Sequence, residues 1–159
     1  SPKKAILILK NYLLPNNVIP GLKFNIVNSH DHLLEFDSYT SKIFHHDIGI
    51  VSTFLRGLSN SNNSGECGLK FFLVKLNDNV IGTCGMYTKD DVVGFYSDGI
   101  MPEYRNQRIG TQMVIERIKM AQALKCKYVV AHCMQASVSL YKRLGFRMLG
   151  NIYLSSLLT

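Results

Sequence analysis

The amino-acid sequence predicts a single α/β (α+β) domain that contains an antiparallel meander of strands. Between residues 70 and 101, three apolar runs rich in strand-forming residues are separated by short polar turns, which is the pattern of successive β-hairpins. Further along, the apolar period changes, because Val114, Ile118 and Ala121 recur at helical spacing. Helices and strands then alternate toward the C-terminus. These two patterns together indicate the fold class.

The elements are expected in the order strand, two helices, three strands, helix, strand, helix and strand. Ser29 or Asp31 can cap the first helix, the polar tract 59–65 is a loop, and Gly145 ends the last helix. The first two helices are separated by a break near His45. The expected strands are 22–27, 70–76, 80–88, 92–101, 128–133 and 146–158, and the expected helices are 33–44, 50–58, 109–124 and 137–144.

Length and apolar content favour one soluble domain. A chain of 159 residues is expected to bury roughly two-thirds of the surface that it exposes when unfolded. We assign residues 22–159 to the domain and residues 1–21 to an N-terminal extension, either the remnant of a tag or a cut from a longer chain. The apolar run 5–9 is too short for a signal peptide, and no apolar run approaches the ~20 residues of a membrane span. The expected location is the cytoplasm, without a membrane partner.

The four cysteines predict neither disulfides nor a metal site. Cys67, Cys84, Cys126 and Cys133 show no CxxC pair and no His/Cys spacing typical of zinc. A domain of this size does not depend on disulfides for its stability. We therefore expect reduced thiols and no metal.

The charge is basic and unevenly distributed. Eighteen basic against eleven acidic side chains leave a net charge of +7. From Arg105 onward, nine basic residues stand against Glu116 alone, so the C-terminal third is expected to carry a positive field. An anionic ligand is expected there.

One turn is suited to such a ligand. A strand ends at Met101, the chain turns through Arg105 and Arg108, and a helix begins at Ile109 and Gly110. The first amides of a helix have no partner within the helix and lie at the positive end of its dipole, so they bind phosphate well. Taken alone, an arginine-rich turn of this kind is more often an exposed helix cap.

A later segment, residues 139–146, favours the interpretation of this turn as a phosphate site. Its sequence is Ser-Leu-Tyr-Lys-Arg-Leu-Gly-Phe. Together the two segments resemble the GNAT superfamily of N-acetyltransferases, over most of the chain from residue 22 onward. The family has an Arg/Gln-x-x-Gly-x-Gly/Ala turn that holds the pyrophosphate of coenzyme A, and a later Leu-Tyr-x-x-Leu-Gly-Phe helix. Two positions depart from the family pattern: Arg108 stands at the first glycine of the turn, and Met134 stands at a common Asn. The matching residues are Arg105, Ile109, Gly110, Leu140, Tyr141, Leu144, Gly145 and Phe146.

The resemblance implies a fold and a cofactor cleft. The expected fold is a mixed, mostly antiparallel sheet with helices on both faces and a splayed pair of parallel strands that forms the cleft for acetyl-CoA. A bulge at Gly99 would splay the strand, and the backbones of Ile100 and Met101 would pair with the pantetheine arm. If the backbone at position 108 needs a positive φ, an arginine there in place of the family's glycine costs about 1 kcal/mol or more. The implied cofactor-binding residues are Gly99, Ile100, Met101, Arg105, Asn106, Gln107, Arg108, Ile109, Gly110 and Thr111.

The resemblance also implies a direct transfer of acetyl to an amine, with Tyr141 as the general acid that protonates the leaving thiolate. Asp98, together with Tyr141, is the expected catalytic pair, although His132 and Glu103 are also candidates for the base. His45 and His46 lie where similar proteins shape the acceptor pocket. Cys133 has no base beside it in the sequence and is not expected to be a nucleophile. The general base is therefore left open between Asp98, His132 and Glu103.

Two other functions remain open. The basic charge is also compatible with acetylation of an aminoacyl-tRNA, as in toxin-type members of the superfamily, although a nucleic-acid partner is not favoured. Arg108 leaves open a domain that binds coenzyme A or a protein without catalysis. The leading expectation is a small-molecule or peptide amine as acceptor and a monomer or homodimer as the assembly.

Overall fold

A computed structural model describes residues 3–10, 16–45, 49 and 68–153. It contains seven strands, three helices and two short 3-10 turns within these ranges. The strands are β1 Lys3–Leu9, β2 Leu22–Ile26, β3 Leu69–Leu76, β4 Asn79–Lys89, β5 Val92–Ile100, β6 Tyr128–Met134 and β7 Arg147–Tyr153; the helices are α1 His30–Phe44, α2 Ile109–Ala123 and α3 Val138–Arg143; the 3-10 turns are Pro102–Tyr104 and Gln135–Ser137. No helix in these ranges is both long and apolar enough to cross a membrane.

The seven strands form one sheet in the order β2-β3-β4-β5-β6-β1-β7. All neighbouring strands are antiparallel except β5 and β6, which run parallel. The predicted meander is β3, β4 and β5. The expected mixed, mostly antiparallel sheet with a single parallel pair is therefore confirmed.

Helices cover both faces of the sheet, as the pleat of β3 shows. Phe36 of α1 is fully buried and packs edge-on against Phe71, with ring centroids 5.1 Å apart, and Leu73 belongs to the same cluster. Phe72 and Val74 point to the other face and join the main core with residues of α2 and α3. Alternate side chains of a strand lie on opposite faces, so α1 lies on one face and α2 and α3 on the other.

The N-terminal strand corrects the expected element order. Residues 1–21 were expected to lie outside the domain, but Lys3–Leu9 inserts between β6 and β7 and pairs with both. Ala5, Leu7 and Leu9 are buried in the main core. A short apolar run has no visible period when it is read alone, and for this reason the sequence did not predict β1.

The ends of α1 follow from local chemistry. The side chain of Ser29 accepts a hydrogen bond from the backbone N–H of His32 at 3.1 Å, so Ser29 and not Asp31 is the N-cap. His45 ends the helix in the left-handed region, with φ 56°. The expected second helix at 50–58, the loop at 59–65 and the end of the last strand at 154–158 lie outside the described residues.

Candidate active site

The parallel strands β5 and β6 separate before either of them ends. They pair from Val92 with Tyr128 to Phe95 with Ala131, and the pairing stops there. The cause is a bulge in β5, because the four residues from Tyr96 to Gly99 oppose only three on β4, Thr83 to Gly85. An extra residue bends a strand out of its ladder, so a gap opens between the C-terminal ends of β5 and β6.

The bulge is centred on Ser97 and not on Gly99, which corrects the sequence prediction. Ser97 has φ 58°, a conformation that non-glycine residues adopt rarely. Gly99 pairs regularly with Thr83. A Cβ at Gly99 would lie 2.5 Å from the side chain of Ile43 and 2.8 Å from that of Phe44. Gly99 is therefore required by the close approach of α1.

A cleft of about 500 Å³ occupies the gap and reaches both faces of the sheet. On one side it is lined by residues of α2 and α3, and on the other by residues of α1 and by the separated strand ends. The lining residues on which the site depends are Gly110, Leu140 and Tyr141 on the first side and Phe44, Ser97 and His132 on the second.

The predicted anion-binding turn has the required backbone geometry. Arg108 is the N-cap of α2, and the first amide bonded back to it is that of Gln112, whose N–H donates to the Arg108 carbonyl at 3.1 Å. The amides of Ile109, Gly110 and Thr111 precede that first bond, so they have no partner within the helix. Gly110 also lines the cleft. These amides and the helix dipole are suited to a pyrophosphate group.

Arg108 adopts the conformation that its position in the family motif implies. Its φ is 62°, in the left-handed region, where the motif has a glycine. Asn106, two residues earlier, has φ 61°. An L-residue with a Cβ costs roughly 1–2 kcal/mol in this region, so the turn has its expected shape at the expected cost.

One of the two predicted backbone contacts to the cofactor is already taken. The N–H of Met101 donates to the Ile81 carbonyl at 2.8 Å, so it faces β4. Successive residues of a strand direct their backbone groups to opposite sides, so Ile100 faces the gap. Its carbonyl accepts a bond from Nε of Arg105 at 3.1 Å. The described geometry therefore makes Ile100, and not the amide of Met101, available at the cleft.

A chain of polar groups runs from the middle of α2 to the cleft. Arg117 is fully buried, donates from Nη1 to Oδ1 of Asp98 at 2.7 Å and makes a second, shorter bond from Nη2 to Oδ2. Its guanidinium lies over the ring of Phe95, 4.4 Å from the centroid. The hydroxyl of Tyr141 donates to Oδ2 of Asp98 at 2.9 Å. Both oxygens of Asp98 are thus hydrogen-bonded.

Burial controls the protonation of this cluster. Burial and the charge of Asp98 hold the pKa of Tyr141 well above its usual range, although Arg117 opposes the shift. The phenol therefore remains protonated at neutral pH. Burial and Asp98 also raise the pKa of Cys133 to about 11. A protonated thiol is a poor nucleophile.

A second cavity of about 390 Å³ adjoins the cleft on the face covered by α1. It shares Lys4, Phe44, Ser97 and His132 with the cleft and is otherwise lined mainly by the aromatic rings of Phe36 and Tyr96. The rings of Tyr96 and His132 meet edge to face, with centroids 5.5 Å apart. Burial and the nearby Lys4 lower the pKa of His132, so this imidazole is neutral at pH 7.

The remaining predicted residues lie away from this centre. Asn106, Gln107 and Glu103 are exposed in the turn, where the side chain of Gln107 donates to the Glu103 carbonyl at 3.2 Å. His45 is exposed at the end of α1 and is not among the residues that line either cavity. His46 lies outside the described residues.

Two residues of the site escaped sequence reasoning. Arg117 is one of the nine basic residues counted from Arg105 onward. It falls on the apolar face of α2 between Met113 and Ala121, and a cation in that position signals a buried anion. Lys4 belongs to the strand that the sequence did not predict. Neither residue is part of a recognisable motif.

Comparison with known proteins agrees with this geometry. The model of the acetyltransferase (GNAT) family matches residues 36–146. A GCN5-related N-acetyltransferase from Sphaerobacter thermophilus superposes with a TM-score of 0.70 at 12% identity, over 94% of this chain and 49% of that chain. Glucosamine-6-phosphate N-acetyltransferase from Arabidopsis thaliana superposes with a TM-score of 0.63 at 12% identity, over 85% of this chain and 97% of that one.

A third similar structure is the glucosamine N-acetyltransferase region of a fungal multi-domain GH3 β-N-acetylglucosaminidase. Its TM-score is 0.70 at 15% identity, over 94% of this chain and 20% of that chain. The chain spans between about half and three-fifths of the length of the first similar structures. No curated protein matches the chain significantly in sequence. At identities this low, the structural similarity establishes the fold and does not identify the acceptor.

Proposed function

Because the chain belongs to the GNAT acetyltransferase family, whose general reaction is acetyl transfer from acetyl-CoA, we propose that it is an N-acetyltransferase in which an amine attacks the thioester directly. One observation carries the proposal. The anion-binding turn and Tyr141 lie on one side of the gap between β5 and β6, and a second cavity opens on the other side. Two substrates can therefore meet in the gap.

The cofactor is proposed to bind on the side of α2 and α3. Its pyrophosphate would accept hydrogen bonds from the amides of Ile109, Gly110 and Thr111, with Arg108 and Gln107 at the rim of the turn. The pantetheine arm would pass Ile100, where β6 has moved away. This placement would bring the thioester to the gap beside Tyr141, which lines the cleft and is only 3% exposed.

The transfer is a balanced exchange of two bonds. The ammonium first loses one proton to a base, and the amine nitrogen then forms a C–N bond to the acetyl carbon as the C–S bond breaks. The nitrogen loses a second proton as the amide forms, and this proton replaces the one that Tyr141 gives to the sulfur. Tyr141 is proposed to turn its hydroxyl from Asp98 to the leaving sulfur and to donate its proton there. Its raised pKa keeps the proton in place until charge develops on the sulfur, and a directed O–H donor stabilises that charge even before transfer is complete.

Asp98 is proposed to act through Tyr141. Both of its oxygens are bonded, one to Arg117 alone and one to Arg117 and Tyr141. A carboxylate held in this way orients the phenol but has little freedom to take a proton from an incoming amine. We therefore assign Asp98 and Arg117 to positioning, and we place the general base elsewhere in the site.

The deciding experiment measures thiol release from acetyl-CoA with a panel of primary amines. Catalysis by the purified chain above the rate without protein is expected with at least one amine. The panel includes amino sugars, because two of the similar structures are named for glucosamine or glucosamine 6-phosphate as substrate. Coenzyme A binding in a calorimetric titration, without thiol release from any amine, would show instead a domain that binds without catalysis.

Acetylation of an aminoacyl-tRNA has less support, because part of the C-terminal charge that would attract the RNA is neutralised. Arg117 is buried and paired with Asp98. Lys119 pairs with Glu116 at 3.0 Å, and Lys127 lies 3.5 Å from Asp91. The field that would attract RNA is correspondingly weaker than the sequence indicates.

A further inference from the structure

The N-terminal strand brings a lysine to the side of the gap opposite Tyr141. In the register of β1 with β6, Lys4 lies opposite Met134 and Ile6 lies opposite His132. Residues two apart on a strand share a face, so Lys4 and His132 are diagonal neighbours on one face of the sheet, where such pairs lie roughly 7–8 Å apart. Both side chains line the cleft and the second cavity.

The charge of Lys4 has no carboxylate to balance it within the described residues. Four ion pairs are present there, and none of them includes Lys4. The carboxylate in the cleft, Asp98, is held by Arg117. The other described lining of the second cavity is uncharged apart from the titratable His132: Phe36, Thr40, Phe44, Tyr96 and Ser97.

An uncompensated lysine affects the choice of acceptor. Amines are cationic before they react, and two like charges in a half-buried site repel one another. An acceptor that carries its own anionic group removes this penalty and gives Lys4 a partner. Three aromatic rings beside this half-buried cation are suited to the apolar part of a compact ligand. The cavity volume of about 390 Å³ is typical of small-molecule sites.

We propose that the acceptor is a small primary amine that also carries a carboxylate or phosphate, that Lys4 binds this anionic group, and that His132 takes the ammonium proton. This inference rests on the proposed acetyl transfer. His132 takes one proton from the ammonium before the nitrogen attacks and releases this proton to water. As the C–N bond forms and the C–S bond breaks, the thiolate receives its proton from Tyr141, and the second proton lost by the nitrogen returns to Tyr141. No further reactant is needed.

The groups that face His132 support its role as the base. From β1 it faces Lys4, and from β5 it meets Tyr96 and lies across the gap from Asp98, which Arg117 neutralises. From α1 it faces Phe44, Phe36 and Thr40, none of which titrates. Burial and Lys4 lower its pKa, so the imidazole is free to accept a proton at neutral pH.

The test compares acceptors that differ in the anionic group alone. The first pair is L-phenylalanine and L-phenylalaninamide, and the second is glucosamine 6-phosphate and glucosamine. Wild type is expected to show a kcat/KM about 10- to 100-fold higher for the anionic member of at least one pair, the range expected for a hydrogen bond to a charged group. The pair that shows the preference distinguishes a carboxylate from a phosphate.

The Lys4→Gln variant is expected to lose this preference, so that the ratio of kcat/KM for the anionic member to kcat/KM for the neutral member falls toward unity. Lys10→Gln is the matched control, because Lys10 is exposed beyond the end of β1 and outside both cavities. Equal kcat/KM values within both pairs for wild type would overturn the proposal. A Lys4→Gln variant that lowers both members equally, or neither, would overturn it as well.

A binding measurement separates this inference from the proposed function. Calorimetric titration of each acceptor into the protein with coenzyme A needs no turnover. Selective binding of an anionic amine that Lys4→Gln abolishes, without thiol release, would support the anion site and contradict the acetyltransferase. Thiol release without anionic selectivity in rate or binding would contradict the anion site alone. Thermal unfolding of each variant shows whether it is folded.

Discussion

The two sides of the gap between β5 and β6 are built in different ways. The side of α2 and α3 holds a fixed polar chain, with Arg117 fully buried and Tyr141 only 3% exposed. The side of α1 and β1 is an aromatic cavity with half-buried Lys4 and His132. The first side is suited to a cofactor that is the same throughout the family. The second side, where we propose that the acceptor binds, can change by exchange of a few side chains without disturbing the core.

The largest effect is expected from Tyr141→Phe, which removes a catalytic group on the cofactor side and leaves the binding of both substrates unchanged. The phenyl ring can keep its edge-on packing against Phe146, 5.0 Å away, while the donor is lost. General acid catalysis contributes typically 10²- to 10⁴-fold, so kcat is expected to fall by about that factor, with the Kd of coenzyme A and the KM of the acceptor near wild type. Steady-state kinetics and calorimetry measure the three quantities.

The control is Tyr87→Phe, because Tyr87 is 40% exposed on β4 and lines neither cavity. It is expected to leave kcat unchanged. Wild-type turnover in Tyr141→Phe would remove the proposed general acid and, with it, the assignment of Asp98 and Arg117 to positioning.

Arg117→Met is expected to destabilise the cofactor side as a whole. Removing one partner of a buried ion pair leaves the other charge uncompensated, which typically costs about 3–5 kcal/mol. Urea unfolding measures the change. Lys119→Met, in the same helix, removes a more exposed ion pair with Glu116 and is expected to cost at most about 1 kcal/mol.

The double variant Arg117→Met/Asp98→Asn tests the cause of that loss. If the penalty is the uncompensated carboxylate, the double variant is more stable than Arg117→Met alone. A double variant that is less stable by the sum of the two single changes would assign the loss to packing around Phe95 and not to charge.

The sequence predicted the features that depend on neighbouring residues and missed those that depend on distant ones. The meander, α2, α3 and the turn before α2 were predicted because each depends on residues close together in the chain. Ser97 was missed because a serine carries no bulge signal, and Arg117 was missed because its partner, Asp98, lies nineteen residues away. Lys4 was missed because β1 pairs with strands at the other end of the chain.

A pH profile sharpens the comparison on the acceptor side. The imidazole of His132, the proposed base, accepts a proton only when it is neutral. Its pKa is lowered from 6.5, so kcat/KM is expected to decline on the acid side only below pH 6.5. Lys4→Gln removes one cause of the lowering, so this decline moves to higher pH. His132→Gln is expected to reduce kcat and remove the decline.

The acceptor amine also titrates, and this effect has to be separated from that of the enzyme. The ratio of kcat/KM of wild type to that of His132→Gln, measured with one acceptor across the pH range, cancels the titration of the amine. A ratio that does not change with pH would exclude His132 as the base.

Arg108 provides the smallest expected effect and tests the turn itself. Replacing Arg108 with Gly relieves roughly 1–2 kcal/mol of left-handed strain and costs roughly 0.5–1 kcal/mol of backbone entropy, so the free energy of unfolding is expected to rise by about 0.5–1 kcal/mol. Gln107→Gly is the matched control, because Gln107 is not among the residues with positive φ and gains only the entropy cost. If Arg108→Gly is no more stable than Gln107→Gly, the turn is not strained at Arg108, and its backbone shape does not require a glycine.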